Sequence, residues 1–239
     1  MTHAQNNEPE KKEIDPSKPT NLYTQFNANL EFQSSKAQNL YGVRTNIQYA
    51  PNSNNLILLE LPILYNDHNS KVGLGDIRFR YFNAVKRNIS NSFIAIAPFA
   101  DIGIPTGSFK NGLGTSSWSL AGGVVFGFIL SKNLSFFPGI NYVHITKPKT
   151  NLIPDINKLS SNGIGIQFNA SYVINKSTYL FINPNPSFLN TNGTWKTIWA
   201  SEFNLNKIIM PNRFKMNISF NPNFTYEIYT FRLGGTFFL

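Results

Sequence analysis

The chain has 239 residues, a formal net charge of +9 at pH 7 and no cysteine, which excludes a disulfide framework and a thiolate metal site. Charged residues make up 14% of the chain and aromatic residues another 14%, whereas an ordinary soluble domain has roughly 25% charged residues. The longest apolar run, from Ala121 to Leu130, is too short for a membrane-spanning helix of about 18 residues. Only a closed β-barrel would let such a chain cross a bilayer.

Residues 1–19 are predicted to form a short polar N-terminal tail that is disordered or extended. They contain Pro9, Pro16 and Pro19 and charges of both signs, a composition typical of a segment that builds no core. Thr2-His3-Ala4 before Gln5 resembles the end of a signal-peptide cleavage site. We therefore expect a chain from which an apolar leader has been removed, with a chance match as the alternative.

Residues 20–239 are predicted to form an all-β, transmembrane antiparallel up-and-down β-barrel. Segments of about ten residues alternate between apolar and polar side chains, as barrel strands do. For example, Phe214, Met216 and Ile218 share one face of a strand, and Lys215 and Asn217 share the other. About twelve strands are expected, and bacterial single-chain barrels have even numbers. The predicted strands are residues 21–32, 40–50, 55–65, 73–85, 92–104, 117–130, 133–146, 162–174, 178–188, 195–206, 213–224 and 228–239.

The connections between the predicted strands alternate in length. Those that follow even-numbered strands are short, whereas those after the third, fifth and seventh strands are long: Asn66 to Val72, Pro105 to Ser116 and Lys147 to Ser161. Outer-membrane barrels have short periplasmic turns and long external loops. Both ends of the predicted barrel therefore lie on the periplasmic side.

A soluble sandwich or a lipocalin-like barrel also alternates, with its apolar face inward. Three features favour the inverted arrangement. The polar faces are rich in Asn, Gln and Ser and poor in Lys and Glu, the predicted strands have near-uniform length, and aromatic residues lie near strand ends, as in membrane girdles. These aromatic residues are Tyr41, Tyr49, Tyr65, Tyr81, Trp118, Tyr142, Trp195, Tyr229 and Phe237.

Two predicted strands fit the alternation poorly. The third, around Leu56 to Leu64, is apolar on both faces except at Glu60, and the fifth carries Phe93 and Phe99 on its expected inner face. Apolar side chains inside a barrel would pack a plug or line an apolar patch.

Glycine-rich motifs between Gly73 and Thr115 resemble the outer-membrane barrel family labelled as a phenol meta-pathway transporter. The last strand, Phe231 to Leu239, resembles the signal that the barrel-assembly machinery recognises, although it ends in Leu rather than the commoner Phe. The resemblance covers about a fifth of the chain and implies a barrel that passes small aromatic or apolar molecules, without naming a substrate. The motifs are Gly73-Leu74-Gly75-Asp76, Pro105-Thr106-Gly107 and Gly112-Leu113-Gly114-Thr115.

No catalytic or cofactor site is predicted. Gly112 to Thr115 lacks the lysine and the strand-to-helix setting of a phosphate-binding loop. The three histidines, His3, His68 and His144, have no serine linked to them by spacing. No histidine or carboxylate pair has metal-ligand spacing. We therefore expect neither an enzyme nor a cofactor or metal protein.

Charged residues on the inner faces are the candidate functional residues, because lumen side chains set the selectivity of a barrel. Two interpretations stay open, a charged constriction that selects solutes and a salt-bridged network that fills a narrow lumen. Barrels of eight strands are nearly filled by side chains and those of 16 to 18 leave a water channel, so strand number does not decide. The candidates are Glu31, Arg44, Asp76, Arg78, Arg80, Asp101, Lys196, Glu202, Lys215 and Arg232.

The sequence thus favours a channel or transporter for small solutes in the outer membrane of a Gram-negative envelope. The alternative is a closed accessory barrel that scaffolds an envelope protein complex, with its lumen plugged by residues 1–19 or by the loop from Lys147 to Ser161. Lysine and arginine are scattered, so nucleic acid is not an expected partner. The expected partners are outer-membrane lipid and lipopolysaccharide, the barrel-assembly machinery and, for the alternative, an envelope protein. The excess positive charge would face anionic lipid or give the lumen a preference for anions.

Overall fold

The computed structural model describes residues 14–18 and 20–239, which form sixteen β-strands and one short 3-10 turn, Asp155–Asn157. In the described part of the chain, no helix is long and apolar enough to cross a membrane. The strands are β1 (Gln25–Ser34), β2 (Asn39–Asn52), β3 (Asn55–Asn66), β4 (Lys71–Leu74), β5 (Ile77–Asn83), β6 (Lys86–Arg87), β7 (Phe93–Ile104), β8 (Ser119–Ile129), β9 (Leu134–Ile145), β10 (Ser161–Asn175), β11 (Thr178–Pro184), β12 (Ser187–Thr191), β13 (Thr194–Ile198), β14 (Ser201–Met210), β15 (Phe214–Asn223) and β16 (Ile228–Phe238).

The strands close into one antiparallel barrel. All pairings between strands are antiparallel, and β1 pairs with β16 from Gln25↔Phe238 to Ser34↔Tyr229, which closes the wall. Three wall positions are interrupted strands, because β4, β5 and β6 follow one another along one position, as do β11 with β12 and β13 with β14. The wall therefore has twelve strand positions, and the predicted twelve-stranded barrel is confirmed. The first strand begins at Gln25 rather than at residue 21.

The apolar faces point outward and the polar faces inward. On β15, Ile218 is 60% exposed, whereas its neighbours Asn217 and Ser219 are buried. This arrangement is the reverse of a soluble barrel and leaves a continuous apolar surface that only lipid can cover. Eight of the nine predicted girdle aromatics are exposed, and Trp118 is partly buried between two outer loops.

The two ends of the barrel differ. The inner end carries the turns 53–54, 88–92, 130–133, 176–177 and 211–213, and β1 starts and β16 finishes there. The outer end carries 35–38, 67–70, 105–118, 146–160, 192–193 and 224–227. Asn192 and Gly193 both have positive φ, 50° and 85°, as a type I′ two-residue hairpin turn requires.

The prediction of a long loop after the third strand is wrong. β3 continues to Asn66 and β4 begins at Lys71, which pairs with Asn66. Only residues 67–70 connect them, because the ladder extends to the strand tips. Some of the polar residues that suggested a loop therefore belong to the outer ends of β3 and β4.

Candidate functional site: the barrel lumen

Residues 14–18 and 20–24 cross the inner end of the lumen before β1 begins, and we call them the inner plug. Ile14 N donates to Asn212 Oδ1 at 2.8 Å, Ser171 Oγ donates to Ser17 O at 2.5 Å and Arg87 Nη2 donates to Thr20 O at 2.5 Å. Asn212 lies in the turn before β15, Ser171 on β10 and Arg87 on β6. Because these positions are spread around the barrel, the plug spans its bore.

Asp15 organises the plug internally. Its Oδ1 accepts hydrogen bonds from Ser17 N at 3.1 Å and Ser17 Oγ at 2.5 Å, the local pattern of an Asx turn. Asn21 Nδ2 donates to Asp15 O at 3.0 Å, and Asp15 N donates to the Tyr23 hydroxyl at 2.9 Å. Burial raises the pKa of Tyr23 above its ordinary value. Residues 14–18, which fall within the predicted tail, therefore form a folded turn and are neither disordered nor extended.

Apolar side chains surround the plug inside the barrel. Leu56 and Leu58 on β3 and Phe82 on β5 line a cavity of about 320 Å³ together with the plug residues Pro16 and Leu22. Leu56 and Leu58 are inner apolar residues of the third predicted strand, which fitted the alternation poorly. The apolar side chains of the wall and of the plug together form a small apolar cluster at the inner end of the lumen.

Phe93 does not point into the lumen, so its predicted placement is wrong. The β7–β8 register shifts between Phe93 and Ala95, and Phe93 stacks on Phe128 with ring centroids 4.9 Å apart. A bulge adds one residue to a strand and reverses the facing of every residue beyond it. Phe99, on the other side of the bulge, is buried and packs against Phe82 at 5.5 Å.

The first charged group in the lumen centres on Glu31 of β1. Arg44 on β2 contacts Glu31 through two nitrogens, at 2.5 and 2.8 Å, and reaches Glu60 on β3 at 2.7 Å. Arg232 on β16 contacts Glu31 from the other side at 2.7 Å. Glu31 is only 4% exposed, so this carboxylate relies on two arginines to offset its lost hydration.

The second charged group centres on Asp101 of β7. Arg78 Nε lies 2.9 Å from Asp101 Oδ1, and Arg80 Nε lies 2.6 Å from Oδ2. The guanidinium of Arg80 also faces the rings of Phe82 and Phe99, 5.5 and 5.7 Å from their centroids. Contact with an aromatic face favours the arginine position by electrostatic attraction to the ring.

Glu202 and Lys215 complete the central set. Lys215 Nζ donates to Tyr179 OH at 3.0 Å and to Asn206 Oδ1 at 2.9 Å. Glu202 lines the same cavities as Arg78 and Arg80. Eight of the ten predicted lumen residues thus lie together in the barrel interior, although their role in selectivity stays a prediction.

Glu60 belongs to this set, although it is not among the lumen residues predicted from the sequence. The sequence does indicate its position. Glu60 is the single charged residue of the third strand, and it shares the lumen-facing side of that strand with Leu58 and Pro62. The apolar residues on both sides of it obscured that indication.

Lys196 lies on the lumen-facing side of its strand, as predicted, but at the outer end of the barrel. Its ammonium group stands 4.4 Å from the centroid of the Tyr226 ring, which belongs to the outer turn 224–227. The side chain is exposed, so it covers the barrel edge rather than the central lumen.

Asp76 holds the long loop 105–118 against the outer rim, and we call this contact the outer latch. Its carboxylate accepts hydrogen bonds from Gly107 N at 3.0 Å and from Thr115 N and Oγ1, both at 2.8 Å. A Cβ added to Gly114 would collide with Asp76 Oδ1. The three glycine-rich motifs singled out in the sequence therefore meet at one place.

The loop also packs through Leu113, which forms a small buried cluster with Leu40 and Leu64 inside the outer mouth. Gln38 Nε2 donates to Gly112 O at 2.8 Å, and Asn66 Nδ2 donates to Asn111 O at 2.8 Å. Gly112 has a φ of +67°, which glycine adopts without strain. The loop thus narrows the outer mouth as a fixed element.

Four cavities follow one another through the lumen. The outermost, about 330 Å³, reaches Asp76 and ends at Arg78 and Asp101. Two central ones, about 260 and 280 Å³, share Arg78, Arg80 and Glu202. The innermost, about 320 Å³, includes Arg80, Glu202 and the plug. A solute that crossed the barrel would therefore meet the paired charges before it met the plug.

Neither of the described histidines has a catalytic arrangement. His144 Nδ1 lies 2.6 Å from Asn162 Oδ1 on the outer wall, and His68 is exposed in the turn 67–70. Among the described residues, no three His, Asp or Glu side chains are grouped to hold a metal. His3 and the predicted cleavage site lie outside the described residues.

No protein-family model and no curated protein matches this chain. Solved structures do match its fold. An outer-membrane channel from Pseudomonas putida F1 is 11% identical with a TM-score of 0.64, and the match covers 95% of this chain and 100% of that one. The porin NanC is 12% identical with a TM-score of 0.64, covering 90% and 100%. The porin KdgM is 12% identical with a TM-score of 0.53, covering 89% and 98%.

At these identities the likeness establishes the fold. The chain has the closed-barrel fold that these outer-membrane channels and porins share. The likeness does not extend to the narrower label, phenol meta-pathway transporter, that the glycine motifs suggested.

Proposed function

We propose that this protein is an outer-membrane channel for small solutes whose inner end is occupied by the inner plug. The observation that carries this proposal is the succession of cavities through the barrel. The innermost and the two central cavities share Arg80 and Glu202, and the outermost and the two central cavities share Arg78. A structural barrel has no need of connected polar space, whereas solute passage requires it. Outer-membrane lipid and lipopolysaccharide would surround the apolar belt, and the barrel-assembly machinery would recognise β16.

The plug supports a gated rather than a permanently open channel. Residues 14–18 and 20–23 are held to the wall by three single hydrogen bonds, with Arg87, Ser171 and Asn212, beside their apolar contacts. Such a segment can leave the bore without unfolding the barrel. A closed accessory barrel that scaffolds an envelope complex is the second candidate, and the same plug is the observation that favours it.

The narrower suggestion, that small aromatic or apolar molecules pass, comes from the glycine motifs alone. In the structure these motifs meet in the outer latch at the rim of the barrel. We therefore propose the solute-channel function without a phenol-type substrate.

Conductance in a planar lipid bilayer tests the proposal. We expect the wild-type protein to open rarely, and the double variant Arg87→Ala, Ser171→Ala to open more often because the plug has lost two wall contacts. Arg213→Ala is the matched control, since Arg213 is an exposed arginine at the same end of the barrel. Its openings should match those of the wild type.

The alternative makes the opposite prediction. If wild type and double variant both stay silent while retaining heat-modifiable migration on a gel, the channel proposal fails. A folded barrel that never conducts, even with the plug loosened, would be the scaffold barrel.

A further inference from the structure

The charges inside the barrel nearly cancel. Five cationic side chains lie in the central lumen, Arg44, Arg78, Arg80, Lys215 and Arg232, against four acidic ones, Glu31, Glu60, Asp101 and Glu202. The four arginines are all ion-paired, two to Asp101 and two to Glu31. A passing ion would therefore meet paired charges rather than a field of one sign.

The positive charge of the chain lies mainly elsewhere. The remaining lysines and arginines of the described residues stand in turns, loops, strand tips and the plug. Lys132, Lys147 and Lys176 are exposed at the barrel ends, where anionic lipid headgroups lie. The central lumen, with five cationic and four acidic side chains, holds a net charge of +1 out of the +9 of the chain, so the excess positive charge does not make the lumen a path for anions.

Uncharged amides make up much of the remaining polar lining. Asn27, Asn29, Asn46, Gln48 and Asn204 line one central cavity. The other central cavity is lined by further amides, which are Asn141, Gln167, Asn183 and Asn185. An amide side chain both donates and accepts hydrogen bonds, and so does a hydroxyl group. The two kinds of group can therefore bind each other in either direction.

Several of these amides have acceptor capacity that the protein leaves unused. The buried Oδ1 atoms of Asn46, Asn183, Asn185 and Asn204 accept no hydrogen bond from any protein group. A buried acceptor without a donor is unfavourable. Each of these oxygens has less than 1 Å² of accessible surface, so its amide group must rotate toward the cavity that the residue lines before a solute hydroxyl reaches it. Asn46 is on β2 and Asn183 on β11, so these acceptors line different sides of the lumen.

We propose that the solutes are neutral, hydroxyl-bearing molecules small enough for cavities of about 260 to 280 Å³. This inference rests on the proposed channel function and names its substrate class. The paired charges give the lumen no field of one sign, and the amide side chains that line the central cavities exchange hydrogen bonds with the hydroxyl groups of the solute.

Liposome swelling with three probes of similar size tests the solute class. The full-length protein and the plug-loosened Arg87→Ala, Ser171→Ala variant are compared for glucose, glucuronate and glucosamine. We expect glucose to enter severalfold faster than either charged probe, and the reversal potential in a KCl gradient to stay near zero. Faster entry of a charged probe, or a strong preference for one ion, would overturn the proposal.

Amide variants test the mechanism. Asn46→Leu with Asn183→Leu keeps side-chain size but removes two acceptors, so glucose entry should fall severalfold while KCl conductance is retained. Asn133→Leu, in an exposed turn, should change neither. A parallel loss of conductance and glucose entry would indicate narrowing alone and would contradict the hydrogen-bonding role.

A charge variant tests the pairing. Asp101→Asn leaves Arg78 and Arg80 without their carboxylate, so the reversal potential should shift toward anion preference and glucuronate entry should rise. An unchanged reversal potential would refute the neutralisation argument. Silence of every form toward every solute, with the barrel folded, would instead refute the channel itself.

Discussion

At the scale of single residues, the position of a charge along its strand decides its role. Asp76 and Asp101 both lie on the lumen-facing side of the wall. Asp101 binds two arginines in the central lumen, whereas Asp76 binds the backbone of a loop at the outer rim. A carboxylate inside the bore requires cations to replace water. One at the rim can instead accept hydrogen bonds from amides of a loop that folds back onto it.

Asp76→Asn should loosen the loop 105–118. The variant keeps the size of the side chain but loses the negative charge and one acceptor, and hydrogen bonds to charged groups contribute about 1.5–3 kcal/mol. We expect faster hydrogen exchange at the amides of Gly107 and Thr115 and earlier proteolysis of the loop.

Asp155→Asn is the control for this prediction. Asp155 is an exposed carboxylate in the neighbouring outer loop, where it pairs with Lys158. It should leave the exchange of Gly107 and Thr115 unchanged. If Asp76→Asn also leaves their exchange unchanged, the outer latch does not hold the loop.

At the scale of elements, the inner plug depends on the barrel that surrounds it. Pro16 prevents a regular strand, and Asp15 makes hydrogen bonds within the segment that substitute for a ladder. The wall supplies Leu56, Leu58 and Phe82 as its apolar contact. The plug therefore folds as a turn held in a pocket, and its stability should respond to groups within it.

High pH should release the plug through Tyr23. Burial raises the pKa of Tyr23, so the docked state favours the neutral phenol. Docking is then fully stabilised below the ordinary tyrosine pKa of about 10 and is lost as pH rises through the raised pKa of the docked state. Channel openings should increase over that range.

Tyr23→Phe separates this effect from general alkaline damage. Phenylalanine keeps the ring but cannot ionise, so the variant should show no added opening as the pH rises. If wild type and Tyr23→Phe respond alike to pH, Tyr23 is not the group that titrates.

At the scale of the whole molecule, the lipid-facing belt makes the barrel a membrane protein. Ile218 lies midway along β15, whereas Met210 lies at the inner end of β14, and both side chains point outward and are exposed. The cost of a charge on this surface depends on its depth in the bilayer. Equivalent substitutions at the two positions therefore report whether the belt faces lipid.

Ile218→Arg should destabilise the barrel by about 2–4 kcal/mol, and Met210→Arg by about 0–1 kcal/mol. Reversible urea unfolding in lipid bilayers measures both values. Equal costs at the two positions would contradict the placement of β15 across the membrane. The difference should shrink in thin detergent micelles, where water reaches the belt.

The amino-acid sequence by itself determined the strand number, the facing of most side chains and the inversion of polarity. The reason is that a strand has a local period of two, so residues such as Phe214 to Ile218 show their facing without knowledge of partners. The inward position of eight charged residues followed from the same period. Lys196 shows the limit of this argument. The alternation tells which face of the strand a residue lies on, but not how far along the barrel axis it lies.

Only the tertiary structure decided which charges pair, where a bulge reverses a strand and what occupies the bore. Glu31 and Arg232 are 201 positions apart, and they meet because the barrel closes between β1 and β16. Phe93 faces outward because the β7–β8 ladder gains one residue, which no local pattern records. The plug likewise acquires its fold from contacts with β6 and β10. These features depend on register and closure, which are set by pairing between distant segments rather than by the residues of any one strand.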